Sequence, residues 1–122
     1  MESPSFTDNK TLTMNTITFD DFSKLEIKMG TVCSVERVPD TDKLLRLQVD
    51  FGESTPRQIL SGIAEYVDPE ALLDRQFPFV VNLEPRVIRG MVSNGMILAV
   101  GEGDTFALLS PTRAVAAGSR IK

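Results

Sequence analysis

Few side chains in this 122-residue sequence are suited to chemistry, and most stand in spacings that exclude it. There is no His, which rules out Ser-His-Asp and Cys-His nucleophile systems and every His-ligated metal site. Cys33 is the single Cys, so neither an internal disulfide nor a multi-Cys zinc site can form. Asp40 and Asp42 could open a calcium loop. That loop would then need Gly at 45 and Glu at 51, where the chain has Leu45 and Phe51. Gly101-Glu102-Gly103 lacks the third glycine of a dinucleotide fingerprint and has Phe106 in its place. Ser119 and Lys122 share the Ser-x-x-Lys spacing without its companion motifs. No carboxylate pair stands where its surroundings would split the two pKa values. The sequence therefore reads as a non-catalytic protein with no cofactor, no metal and no small-molecule substrate.

Binding is the chemistry left open, and one segment suits it. Thirteen Lys and Arg face seventeen Asp and Glu, for a net charge of −4 and a pI near 4.8. By bulk electrostatics such a chain repels a polyanion. The charge is unevenly placed, however. Residues 1–23 hold one Lys against four acids, residues 24–60 balance, and residues 61–80 hold one Arg against four acids. The connection from Asn82 to Met96 is the only internal stretch with a positive balance. Its Asn82, Arg86, Arg89, Ser93 and Asn94 are donors suited to phosphate and sugar oxygens. Gly90 and Gly95 allow close backbone approach, and Met96 could lie against a base or ribose. Two readings stay open at this level: a phosphate-contacting segment, or a solvated loop with two surface arginines and a core Met.

The elements that would position this segment are short. Residues 1–16 are polar and aperiodic, a mobile N-terminal arm. They lack the basic start and apolar run of a signal peptide, and nothing approaches the ~18 apolar residues of a membrane span. A cytoplasmic protein without a membrane partner is expected. Thr18 followed by Asp21 predicts a capped short helix over Phe19 to Ser23. Leu25, Ile27, Met29, Thr31, Cys33 and Val35 alternate with polar residues, which predicts a half-buried strand with Cys33 on its core face and a bend at Gly30. A turn over residues 38–43 leads to a second strand on Leu45, Leu47, Val49 and Phe51. Gly52 to Pro56 turns the chain into a third over Arg57 to Ile63. Asp68-Pro69-Glu70 predicts a short helix to about Leu73. Phe77, Phe79 and Val81 make a fourth strand, Met96 to Val100 a fifth, and Phe106 to Leu109 another short one. The order of five curved strands with a helix between the third and fourth is that of a small all-β barrel of the OB type.

At the donor-rich segment the chain also resembles a known family. Asn82-Leu83-Glu84-Pro85-Arg86-Val87-Ile88-Arg89-Gly90-Met91-Val92-Ser93-Asn94-Gly95-Met96-Ile97-Leu98-Ala99 is similar to the signature of the tRNA-binding OB domain. That domain occurs as the C-terminal part of many methionyl-tRNA synthetases and as stand-alone dimeric tRNA-binding proteins. Asp21 to Gly30 resembles the family's opening, Pro39 to Asp50 its first hairpin, and Arg57 to Ala64 its third strand. The resemblance covers residues 17–122, with the core match from about 21. Val87 departs from it, standing where many members carry Lys.

The resemblance implies an all-β, five-stranded OB-fold barrel with short helices and a C-terminal β extension. It implies structure-dependent tRNA binding, as an accessory or appended domain of an aminoacyl-tRNA synthetase of methionyl type. Carried over position by position, Ser93, Asn94 and Met96 match residues that touch the RNA, and Asn82, Arg86 and Arg89 match supporting ones. Lys28, Lys43, Arg46 and Arg57 form a second tier of tRNA-binding candidates. A homodimer joined through Phe19, Phe22, Val115 and Ile121 is implied as well. Some relatives of this barrel instead act as dimeric chaperone-like binders of unfolded polypeptide, which is the alternative function.

Overall fold

Leu45, Leu47 and Val49 alternate with polar residues, and in the computed structural model of the chain, which describes residues 15–122, all three are completely buried. The arm expected over residues 1–16 lies, up to residue 14, outside the described residues. The strand carrying those three side chains, β2 (Leu45–Asp50), lies between β1 (Ile27–Arg37) and β3 (Arg57–Ser61). β4 (Gln76–Val80) pairs with the first half of β1, and β7 (Met96–Ile97) pairs with β4. The sheet is antiparallel in the order β3-β2-β1-β4-β7. It curls until β3 approaches the chain entering β7. Asn94 N–H donates to Gln58 O across that seam at 2.8 Å, so the expected five-stranded barrel is nearly closed.

The core is filled by Val32, Phe51, Ile59, Leu72, Phe77 and Phe79 around the β2 side chains. Phe51 meets Phe79 edge to face, with centroids 5.3 Å apart, a favoured arrangement of ring quadrupoles. Each fully buried Leu or Val stabilises the barrel by about 1.5–3 kcal/mol. The helix α1 (Phe19–Ser23) starts as expected, with Asp21 N–H donating to Thr18 Oγ1 at 3.0 Å.

The C-terminal segment completes the β1 edge that β2 leaves open. Met29 N–H donates to Ser119 O, Gly118 N–H to Met29 O, and Ile121 N–H to Ile27 O. Gly118 has φ +90°, and a Cβ there would come within 2.2 Å of the Phe51 carbonyl oxygen. Only glycine fits so close a crossing. Arg120 reaches on to the carbonyls of Ser23 and Leu25, at 3.3 Å each, which ties α1 to this end of the chain.

Four local expectations change. Before its bulge the core phase of β1 is the opposite of the one read from its alternation, whereas after it Val35 packs against the core as expected. Gly30 and Val32 face the barrel, since a Cβ on Gly30 would meet Val49 and Phe51 and Val32 is fully buried. Ile27 and Met29 are on the other face, and their backbones bond to the C-terminal segment. The register shifts between Val32 and Ser34, so Cys33 is the extra residue of a bulge and is exposed. The helix expected from Asp68 is a single 3₁₀ turn over Pro69–Ala71, and the Asp68 side chain makes no cap bond. Leu72 is completely buried while Ala71 and Leu73 are exposed, so no apolar stripe exists to sustain further turns. The expected fifth strand divides: Leu98 N–H donates to Pro78 O, after which β8 (Ala99–Val100) leaves to pair with β9 (Ala107–Leu108). Lastly, the connection from Asn82 to Gly95 contains a hairpin.

Candidate nucleic-acid interface

That hairpin joins β5 (Arg86–Ile88) to β6 (Met91–Ser93), pairing Arg86 with Ser93, Val87 with Val92 and Ile88 with Met91. Its two-residue turn has φ +54° at Arg89 and +78° at Gly90. Left-handed conformation at both positions matches the twist of paired strands. Directly opposed residues share a face. Arg86, Ile88, Met91 and Ser93 therefore line the side toward the barrel, and Val87 and Val92 the outer side, where Val87 is 71% exposed.

Arg86 and Arg89 are exposed, and neither guanidinium makes an ion pair or hydrogen bond with another described residue. Arg86 borders a groove of about 120 Å³ with Leu83, Glu84, Ile88, Ser93, Gly95 and Met96. Leu83 and Met96 are exposed there, an apolar surface against which a base or ribose can lie. Arg89, at the hairpin tip, borders a second groove of about 500 Å³ with Lys43 of the β1–β2 turn, and Asp40 and Asp42 temper its charge. Asn94 is half-buried beside the seam, and its side chain has no hydrogen bond to a described residue.

Other expected contact residues have their polar atoms engaged within the fold. Asn82 Oδ1 accepts from Glu26 N–H at 2.8 Å, and its Nδ2 donates to Lys24 O at 2.6 Å. Both ends of the amide fasten the entrance of β1 to the exit of β4. Ser93 is buried, and its hydroxyl accepts from Leu60 N–H at 3.0 Å and donates to Gly95 O at 3.3 Å. Its place in the groove is the floor.

The second tier divides in the same way. Arg57 makes two bonds to the Glu53 carboxylate, donates to Val81 O at 2.7 Å and stacks over Phe51. Hydrogen bonding from Arg57 holds the Glu53 carboxyl below the usual glutamate range against the opposing effect of burial. The same bond raises Arg57 further. Arg46 is paired with Glu36. Lys28 is half-buried on β1, close enough to Glu53 to favour its charged form. Lys43 alone of this tier joins a hairpin cation in one groove. Elsewhere, Phe19 is 79% exposed and tilted against Phe22 at 6.3 Å. Val115 is held through its backbone by the Gln76 amide, and Ile121 sits on the β1 edge.

Gln58 and Leu83 are the site residues that sequence reasoning missed. Gln58 Nε2 donates to Val92 O at 2.9 Å, so this side chain latches the hairpin to β3. Gln58 is only one more polar residue in an alternating strand, and no local pattern points to a partner 34 positions away. Leu83 follows a strand and could have been suspected as an apolar residue in a polar segment.

Residues 27–120 match the family described as "Putative tRNA binding domain". The chain belongs to that family. As a tRNA-binding domain it is 49% identical over 107 residues to the methionine–tRNA ligase of Helicobacter pylori, a match covering 88% of this chain and 16% of the ligase. The chain thus spans about a sixth of the curated relatives it matches. Among solved structures, the methionyl-tRNA-synthetase-related protein of Pyrococcus horikoshii superposes with a TM-score of 0.83 at 36% identity, covering 89% of this chain and all of that one. The chaperone CsaA of Bacillus anthracis superposes at 0.77 and 32% identity, covering 88% and 99%. The family assignment and the barrel agree with the sequence reading. No helix among the described residues is long and apolar enough to cross a membrane.

Proposed function

We propose that this domain binds tRNA without catalysing a reaction, and that it raises the local tRNA concentration for an aminoacyl-tRNA synthetase of methionyl type in the cytoplasm. The observation that carries the reading is the β5–β6 hairpin. It presents Arg86 beside the exposed Leu83–Met96 surface and Arg89 at its tip beside Lys43, neither guanidinium ion-paired with a described residue. Unspent cations neutralise phosphates, and an apolar shelf accepts an unstacked base or a ribose. Phosphate contacts and an apolar shelf carry no base-edge code, and on them recognition is of tRNA shape. The protein acts as a homodimer through Phe19, Phe22, Val115 and Ile121, which sets two weak sites side by side on one large RNA.

Filter binding of unfractionated tRNA across a salt series tests the proposal. With roughly three phosphates neutralised per protomer at the hairpin, that site alone contributes a slope of about −2.7 to the fall of log affinity against log salt. Arg86→Ala and Arg89→Ala weaken all tRNA species about equally. No salt-sensitive binding at low ionic strength would sink the proposal, and strong discrimination among tRNA species by either variant contradicts shape recognition. A second reading draws on the exposed Val87, Val92, Leu83 and Met96 and on the similarity to chaperone CsaA: an unfolded polypeptide binds the same hairpin. Competition between tRNA and an unfolded client separates the two.

A further inference from the structure

Lys28 and Lys122 aside, the described cations sort by what their side chains bond and where they lie. Lys24, Arg46 and Arg57 are ion-paired, and Arg37 and Arg120 donate to backbone carbonyls. Arg86, Arg89 and Lys43 cluster at the hairpin, as described. Arg75 and Arg113 are exposed, their guanidiniums make no ion pair or hydrogen bond with a described residue, and they border a single open basin of about 450 Å³. Asp74, Thr31, Gln76 and Ser110 also line it.

The frame of this basin is fixed. Asp74 N–H donates to Val32 O, and Val32 N–H donates to Arg75 O, so the chain carrying Arg75 is bonded to β1. On the other side the Gln76 amide exchanges two hydrogen bonds with Val115 and donates to Thr31 Oγ1. That holds the stretch carrying Arg113 against the start of β4. Thr31 Oγ1 accepts the Gln76 bond, which leaves its hydroxyl proton able to donate into the basin. With Asp74 counted, the basin is cationic by one charge, although Asp74, Arg75 and Gln76 come from a stretch that by sequence is acidic.

Gln76 and Val80 lie on the outer face of β4, because Phe77 and Phe79 point into the core. Met96 pairs with Val80. Gln76 of the basin and Val80, the partner of the groove's Met96, are thus about 13 Å apart along β4 at ~3.3 Å per residue, with Pro78 and Val80 themselves buried. A mononucleotide cannot bridge that gap, whereas the phosphate chain of a folded RNA can.

We infer that Arg75 and Arg113 form a second phosphate-contact site for the same RNA that the β5–β6 hairpin engages. This rests on the tRNA-binding reading. The paired guanidiniums supply planar donors matched to phosphate oxygens, and Thr31 and Ser110 add neutral donors. Two sites a strand length apart favour a large folded RNA over short fragments.

The test is filter binding of unfractionated tRNA across a salt series with the wild-type chain, Arg75→Gln/Arg113→Gln and Arg75→Lys/Arg113→Lys, with thermal melting of each. The Gln variant is expected to weaken tRNA at least about fivefold at low salt and to flatten the salt slope by about 1.8. Its melting should be unchanged, because neither guanidinium bonds to the described fold. The Lys variant should keep most of the slope, since charge is retained. Wild-type affinity and slope in the Gln variant overturn this inference and leave tRNA binding standing. Absence of tRNA binding by the wild-type chain overturns the underlying reading and this inference with it.

Discussion

Asn82 and Arg86 stand four residues apart, and both present donors suited to a nucleic acid. Asn82 uses its whole amide on Glu26 and Lys24 and holds α1 and β1 to the end of β4. Arg86, at the start of β5, has a guanidinium with no partner among the described residues and borders a groove floored by Ser93. The barrel seam and the hairpin thus divide one polar motif into parts that build and parts that remain available. Residue type sets what a side chain can bond, and the surrounding backbone decides whether it has already done so. A buried N–H or C=O left unpaired costs more than a solvated guanidinium gains from a weak internal bond. The fold therefore claims Ser93 for the buried Leu60 N–H, while Asn82 spends its amide on an exposed seam.

Substitutions can break that division, and the largest effect belongs on the building side. Gly118→Ala places a methyl against the Phe51 carbonyl at a left-handed position. It should cost about 3 kcal/mol or more, seen as a large fall in denaturant midpoint. Near-neutral behaviour would mean that the C-terminal segment is not integral to the β1 edge. Ser93→Ala leaves Leu60 N–H buried without its acceptor and should cost about 1–3 kcal/mol, lowering the melting temperature by several degrees. If instead it abolished tRNA binding with stability intact, Ser93 would belong to the available group.

Gln58→Ala sharpens the comparison, because Gln58 joins the two regions. It should cost only about 1 kcal/mol of stability and speed amide exchange in the β5–β6 hairpin. The added cost of ordering the hairpin should weaken tRNA by about threefold to tenfold. Unchanged exchange in the hairpin would refute the latch.

The smallest effect is electrostatic. Glu53 titrates below its ordinary range in the folded chain because Arg57 hydrogen-bonds its carboxylate. A depressed folded pKa adds stability above the unfolded value and loses it as pH falls through the folded one. Acid unfolding of the wild-type chain should thus show a limb below the ordinary glutamate range that Glu53→Gln lacks. The pair is partly solvent-screened, so the difference is modest. Identical acid limbs would mean that the Glu53 pair adds no stability, leaving Arg57 only its bond to Val81 O and its contact with Phe51.

Much of the barrel was legible in the sequence, for reasons visible in particular strands. β2 is flanked on both edges and buried on one face, so Leu45, Leu47 and Val49 alternate without interruption. β1 bulges at Cys33 and changes cover along its length, from the C-terminal segment to β2. Its apolar phase therefore misleads. The hairpin was hidden because its turn is Arg89-Gly90 and its strands are three residues each, too short for a period to register. Arg86 and Arg89 could be named from type and charge. That Asn82, Ser93, Arg46 and Arg57 were already engaged depends on partners distant in sequence, such as Glu26 N–H and Leu60 N–H. No local spacing carries that information.

The central claim is that recognition rests on the hairpin's unspent cations. The salt dependence of tRNA affinity for Arg86→Gln/Arg89→Gln, measured beside the wild-type chain, tests it most directly. A slope flatter by about 1.8 with unchanged melting is predicted. A wild-type slope in the double variant would contradict the account.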